Sequence, residues 1–254
     1  VRVTIFFAFP QEIKQIVKNL KAIKSKSRPF SLFVAEYSSK EIILVQSGMG
    51  RRNAETALDY VLKEHNPDLV LSVGFGGALY DGAAAGDLIW ASRIMLLPEF
   101  VGGTDSASTR QDSYLLKVPN AEEMQKRLSA KLNILQGCVL TISKFMKKAE
   151  IREILPEKLP NPVCDMETFA IARLCMERGL PFFAIRSITD MADEEIPYEL
   201  FHITDELGNY SFFLALRMLI QKPGLIPHSI RLGRNSNIAS RNLWLAVKSL
   251  IEVL

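Results

Sequence analysis

The chain has 254 residues, 48% of them hydrophobic and 23% charged, with a formal net charge of +3. This is a globular composition with enough length for one large core, and it excludes disordered and collagen-like chains. So small a net charge gives no argument for a nucleic-acid partner, and no apolar run approaches the ~20 residues that a membrane-spanning helix needs.

Val3–Ala8 reads as a first strand rather than a signal peptide, since Pro10 and an acid follow it with no small-residue cleavage site. Pro10 opens a helix over Gln11–Lys24, with Ile13, Ile16, Val17 and Leu20 on one face. Leu32–Tyr37 and Glu41–Gln46 form a hairpin around Ser38–Lys40. The turn Ser47-Gly48-Met49-Gly50 leads into a helix over Asn53–Glu64, with Ala54, Ala57, Leu58 and Val61 inward. Asp68–Val73 is a buried strand running into Gly74-Phe75-Gly76-Gly77-Ala78-Leu79, and Asp87–Leu96 is another strand.

Pro98–Ser113 is polar and glycine-rich, a long loop and a candidate lid. Ala121–Leu132 is helical, Ile134–Ile142 a strand and Lys144–Ile154 a helix. Strand Pro162–Met166 feeds helix Glu167–Arg178, which Gly179 stops. Strand Phe182–Ile188 follows, then a helix from about Pro197 to Ile220 and a last helix over Ile238–Val253. Strands alternate with helices and no linker, repeat or charge block divides them. The expectation is one α/β domain over 1–254, a three-layer α/β/α sandwich with a mixed, mostly parallel sheet.

The chemistry gathers at strand exits. Glu167 follows the apolar run Val163–Met166, and Asp190 follows Phe182–Ile188. Buried acids are costly without a partner or a function, and open α/β sheets bind ligands at such ends. Each alone could be a helix-start acid or a turn cap; with Glu12 they make three acids at three exits. Two of them could grip a polyol and protonate a leaving group.

Other chemistries find less support. Gly74-x-Gly76-Gly77 lacks the spacing of a dinucleotide fingerprint, because Leu79 stands at the third glycine position. Its glycines read either as a tight turn or as close backbone approach to a ligand. Ser47–Gly50 precedes a helix N-terminus, where free N–H groups favour an anion or a ribosyl oxygen. His65, His202 and His228 are scattered, so no metal is expected, and no Ser sits in a nucleophile elbow. Cys138, Cys164 and Cys175, without CxxC spacing, suit reduced thiols in a cytoplasmic protein.

Four elements in order, AFPQE (Ala8–Glu12), SGMG (Ser47–Gly50), GFGGAL (Gly74–Leu79) and the pair DMETFAIA with RSITDMAD, resemble the nucleoside phosphorylase family. The likeness is strongest to its methylthioadenosine/S-adenosylhomocysteine nucleosidase branch and covers roughly Val1–Ile220. It implies a phosphorylase/hydrolase-like fold, no metal or organic cofactor, and a homodimer or larger homo-oligomer. It implies that Glu12 activates the attacking water, and that Met166 and Glu167 pack on and hydrogen-bond the ribose. Asp190 becomes the acid at the five-membered-ring nitrogen of the purine. Phe145 stacks on the base, with Met146 beside it, while Phe75, Gly76 and Met49 complete the substrate pocket. In this reading, walls from Phe145, Phe75 and Met166 keep Asp190 in its acid form by desolvation, whereas Glu12 stays ionised.

The implied activity is release of a purine, adenine foremost, from a ribosyl substrate with water as acceptor. Phe75 stands where the family commonly carries Ser or Thr, and Ser72 where phosphate-using relatives carry Arg. With no obvious arginine pair for phosphate, hydrolysis is favoured; Arg51 and Arg52 leave phosphorolysis as the alternative. A further alternative is nucleoside binding without turnover. Residues 222–254 carry a net +4, leaving −1 for the rest. This extension resembles the tails of hopanoid-associated members acting on adenosylhopane, with Leu225, Ile226, Ile230 and Leu232 available for peripheral membrane contact. Its structural alternative is a helix that closes the end of the sheet.

Overall fold

A computed structural model describes residues 1–26, 28–97, 113–115, 126, 129, 132–155, 158–197 and 212–254. The expected lid and the helix at 121–132 therefore lie largely outside the described residues, as does most of 197–211.

The strands are β1 (Arg2–Phe7), β2 (Ile23–Lys26), β3 (Ser31–Tyr37), β4 (Lys40–Gln46), β5 (Leu69–Ala78), β6 (Leu88–Leu96), β7 (Ser113–Leu115), β8 (Ile134–Thr141), β9 (Val163–Asp165) and β10 (Phe182–Asp190). The helices are α1 (Pro10–Leu20), α2 (Arg51–Glu64), α3 (Lys148–Glu153), α4 (Thr168–Glu177), α5 (Phe212–Gln221) and α6 (Leu225–Val253). Helix α1 ends where Lys21 turns left-handed (φ 52°), so the expected helix over Gln11–Lys24 runs too far and Ile23 and Lys24 belong instead to strand β2.

The central strands are buried on both faces, which explains their nearly continuous apolar runs. Val3, Ile5, Phe7, Leu69, Leu71, Phe183 and Ile185 point into one core with Ile13, Ile16 and Leu20 of α1 and Leu243, Val247 and Leu250 of α6. The alternate residues Phe6, Val70, Phe182 and Ala184 meet Ala54, Ala57, Leu58 and Val61 of α2 and Phe169, Ala172 and Cys175 of α4. The four inward residues expected on α2 are all buried.

The sheet differs from the expected sandwich. Its order is β10-β6-β8-β9-β5-β1-β4-β3-β2 with β10 also paired to β5, so β5, β10, β6, β8 and β9 close into a barrel. Parallel pairs (β1–β4, β1–β5, β5–β10, β6–β8, β8–β9) are matched in number by antiparallel ones, so the sheet is mixed rather than mostly parallel. The cause is β5. The strand does not stop at Val73 but runs through the glycines, pairing with β10 as far as Gly77 and with β9 at Gly77 and Ala78. Reading those glycines as a turn hides the pairings that close the ring.

Helix α6 starts 13 residues before the expected Ile238, because Pro227 falls in the first turn, where a missing N–H is harmless. Its C-terminal half packs on the core, and Asn242 and Ser240 anchor it to the carbonyls of Gly86 (2.7 Å) and Gln11 (2.9 Å). The helix lies against α1 and β10. Among the described residues no helix is long and apolar enough to cross a membrane.

Candidate active site

One cavity lies at the carboxyl ends of β1, β4 and β10 and along the glycine half of β5 and collects the expected catalytic and substrate-binding residues, though not Arg51, Arg52 or Ser72. Glu12, Met49, Phe75, Gly76, Phe145, Met146, Met166, Glu167 and Asp190 all line it. A larger groove of about 1060 Å³ lies at the amino ends of β1 and β4, beside Arg2, Lys40 and Glu41, away from this chemistry.

Glu12 is the third residue of α1, where an acid caps the helix start. Its Oε2 accepts from the Ala8 (2.7 Å) and Phe9 (2.8 Å) amides, and its Oε1 from the Phe75 amide (2.7 Å). The carboxyl is buried, and burial raises its proton affinity above the ordinary value of 4.5 against the pull of the Phe9 and Phe75 N–H groups. A base so adjusted is stronger than an exposed glutamate. Gly74 makes the approach possible: a Cβ there would sit 2.8 Å from Glu12 Oε1.

Glu167 precedes α4, and its Oε1 accepts from the Gly50 amide at 2.5 Å. At the Ser47–Gly50 turn, where an anion or a ribosyl oxygen was expected, the Gly50 amide at the N-terminus of α2 is taken by the protein's own Glu167 carboxyl. Desolvation, and then the negative charge of Asp165, raise Glu167 from 4.5 to about 8, opposed by the Gly50 N–H and Arg186. The carboxyl is therefore more basic than an exposed glutamate, and its second oxygen, Oε2, accepts from the Met166 amide at 3.3 Å.

Asp190 ends β10 and is 7% exposed, so it does not face bulk water. Its surroundings differ from the apolar walls expected. Lys148 Nζ lies 2.5 Å from Oδ2, and Thr189 Oγ1 donates to Oδ1 at 2.7 Å. Lys148 also donates to the carbonyls of Asp190 (3.0 Å) and Met191 (2.5 Å). A Cβ on Gly77 would fall 2.7 Å from Asp190 Oδ2 and 3.2 Å from Lys148 Cε, so that glycine clears the space for the pair.

Beneath the acids, Arg186 of β10 and Asp165 of β9 form a buried ion pair: Arg186 Nη2 is 2.7 Å and Nε 2.9 Å from Asp165 Oδ2. Arg186 further donates to Ser72 Oγ (2.8 Å) and to Thr168 Oγ1, and Thr141 Oγ1 donates to Asp165 Oδ1 (2.7 Å). This satisfied network fixes β5, β9 and β10 relative to one another. Asp165 and Arg186 lie inside the two motifs but were not singled out. Lys148, one of three lysines in KFMKK, gave no signal at all, since the expected helix start at Lys144 falls four residues before the observed one. Among the described residues no group of three or more His, Cys, Asp and Glu is arranged to hold a metal ion.

The sequence profile of the phosphorylase superfamily matches residues 2–213. The chain belongs to that superfamily. Superfamily relatives include the 5′-methylthioadenosine/S-adenosylhomocysteine nucleosidase of Shewanella halifaxensis, 23% identical over 228 residues, covering 87% of this chain and 99% of the relative. The nucleosidase of the same name from Listeria monocytogenes is 28% identical over 174 residues, covering 64% and 74%. Among solved structures, the corresponding Neisseria meningitidis nucleosidase in complex with methylthio-immucillin-A superposes with a TM-score of 0.73 at 20% identity, covering 100% of this chain and 99% of that one. A futalosine hydrolase mutant of Helicobacter pylori gives the same TM-score at 17% identity, over 100% and 99%. Solved structures named for different substrates thus share this fold to the same degree.

Proposed function

We propose that this protein is an N-ribosyl hydrolase that releases adenine from a 5′-substituted adenosine such as methylthioadenosine or S-adenosylhomocysteine. The observation that carries the reading is the meeting of Glu12, Glu167 and Asp190 around one cavity with Phe145, Met146 and Met166. Breaking an N-glycosidic bond builds positive charge on the sugar and negative charge on the departing base. Asp190 acts at the purine's five-membered ring, where a positioned acid contributes ~100- to 10,000-fold. Glu12 takes the proton of the attacking water. Glu167 and Met166 hold the ribose, and Phe145 stacks on the base. Single-domain organisation, a cytoplasmic setting and a homo-oligomer whose neighbouring copy approaches the substrate's 5′ end complete the proposal.

Water is favoured as acceptor because, among the described residues lining the cavity, Lys148 is the one cation, and three acceptors already take its donors. Arg186 is likewise committed to Asp165. Phosphorolysis is the second reading, supported by Arg51, the first residue of α2, which donates to Ser143 Oγ at 2.9 Å. A lipid-linked nucleoside is the third, supported by the exposure of Ile226 and Ile230 on α6. Arg231, however, is paired with Glu194 at 3.0 Å, which removes one of that tail's free positive charges.

The test is base release from methylthioadenosine, S-adenosylhomocysteine, adenosine, inosine and futalosine, with and without phosphate. Phosphate-independent release of adenine with a free 5′-substituted ribose is expected. A ribose 1-phosphate formed only when phosphate is present overturns hydrolysis, and tight nucleoside binding with no base release overturns the enzyme.

A further inference from the structure

Lys148 stands behind the proposed acid with every donor used. It is buried at the first position of α3, its stem passing Gly77, and it meets the Asp190 carboxylate at 2.5 Å and two backbone carbonyls. Burying an ammonium and a carboxylate together has a large desolvation cost, and two apolar residues would do as well for stability alone. The groups around the pair do not neutralise it. Cys164 beside it is pushed up to about 12 by desolvation and then by the Asp190 charge, and so remains a thiol. Glu195 accepts from the Lys148 amide (2.9 Å), and Glu194 takes the Met191 amide (3.1 Å) and Arg231.

We propose that Lys148 and Asp190 act as a dyad sharing one transferable proton, with Lys148 as the positioning residue that resupplies the acid as it protonates the leaving purine. The inference rests on the hydrolase reading above. The C1′–N9 bond breaks, and its electron pair goes to the purine. Lys148 Nζ passes its proton across the ion pair to Asp190, Asp190 passes it on to the purine's five-membered ring, and the dyad is left as a carboxylate and a neutral amine. The proton that water loses to Glu12 on attacking C1′ balances the cycle when solvent restores Lys148. The ion pair and the neutral acid–amine pair differ only by a shift along the 2.5 Å contact, so the transfer needs no movement of heavy atoms. In this account the proton for the purine is stored as an ammonium, which apolar walls around a lone aspartate could not provide.

Lys148→Met and Lys148→Arg separate this role from a structural one. Arginine keeps the charge and the donors but does not surrender its proton in a protein. Two substrates are compared: methylthioadenosine, whose base needs a proton to leave, and 4-nitrophenyl riboside, whose phenolate does not. The expected result is a loss of adenine release of about 100-fold or more in both variants, with nitrophenol release within about fivefold of wild type. Adenine release restored by Lys148→Arg, or retained by Lys148→Met, overturns the dyad, as does an equal loss on both substrates. If Lys148→Met fails to fold, as a missing melting transition would reveal, Lys148→Arg carries the same comparison. A wild-type protein that releases neither adenine nor nitrophenol removes the hydrolase reading and this inference together. Wild-type release with unchanged ratios in the variants removes the inference alone.

Discussion

Asn235 of α6 donates at 2.8 Å to the carbonyl of Thr189, whose own hydroxyl donates at 2.7 Å to Asp190 Oδ1. The C-terminal helix therefore reaches the back of the acid through two hydrogen bonds, and Arg231 one turn earlier grips Glu194 on the segment after it. Asn235→Ala leaves a buried carbonyl without its partner, which costs about 1–3 kcal/mol. Urea unfolding should show that loss. Adenine release should fall through kcat with KM little changed, since no substrate contact is touched.

Glu167 gives stability a pH dependence. Its proton affinity rises on folding from 4.5 to about 8 through desolvation and the nearby Asp165 charge. Between those values the native state holds a proton that the unfolded chain has lost, so its contribution is full below pH 4.5 and is lost as pH rises through about 8. Glu12 is raised by burial and acts in the same direction. Melting temperatures of Glu167→Gln should therefore decline less than those of wild type between pH 5 and 8, because the amide cannot ionise. Parallel curves would contradict the raised affinity.

Removing one partner of the Arg186–Asp165 pair leaves a buried charge uncompensated. Arg186→Met should destabilise by about 3–5 kcal/mol, and Asp165→Asn by less, because the amide can still accept from Arg186. Chemical denaturation of the two variants beside wild type gives the order directly.

Two glycines offer opposite outcomes. A Cβ on Gly77 would intrude on Asp190 Oδ2 at 2.7 Å, while one on Gly233, within α6, meets nothing within 4 Å. Gly77→Ala should lower adenine release by about 100-fold, the scale of a misplaced catalytic group. Gly233→Ala should leave activity unchanged and stabilise by about 0.5–1 kcal/mol. Equal activity in both variants would mean that the Gly77 clearance has no bearing on turnover.

Much of this architecture is legible in the sequence, and the failures have physical causes. Helix α2 and the pairing of β3 with β4 follow from local periodicity, and their residues fall where the pattern puts them. The three acids are legible because each lies at or just beyond the exit of an apolar strand. The closed barrel is not, since it depends on β5 continuing through glycines whose purpose appears only when Glu12, Arg186 and Asp190 are seen against them. The Lys148–Asp190 pair joins residues 42 apart, and a lysine in a lysine-rich segment reads as solvated until the fold buries it.

The most direct measurement is the rate of adenine release from methylthioadenosine by wild type and by Asp190→Asn, with phosphate absent. Steady release by wild type and a fall of 100-fold or more in the variant, with nucleoside binding retained, is the predicted result. Release by Asp190→Asn within about threefold of wild type, or no release by wild type on any purine riboside, would contradict it.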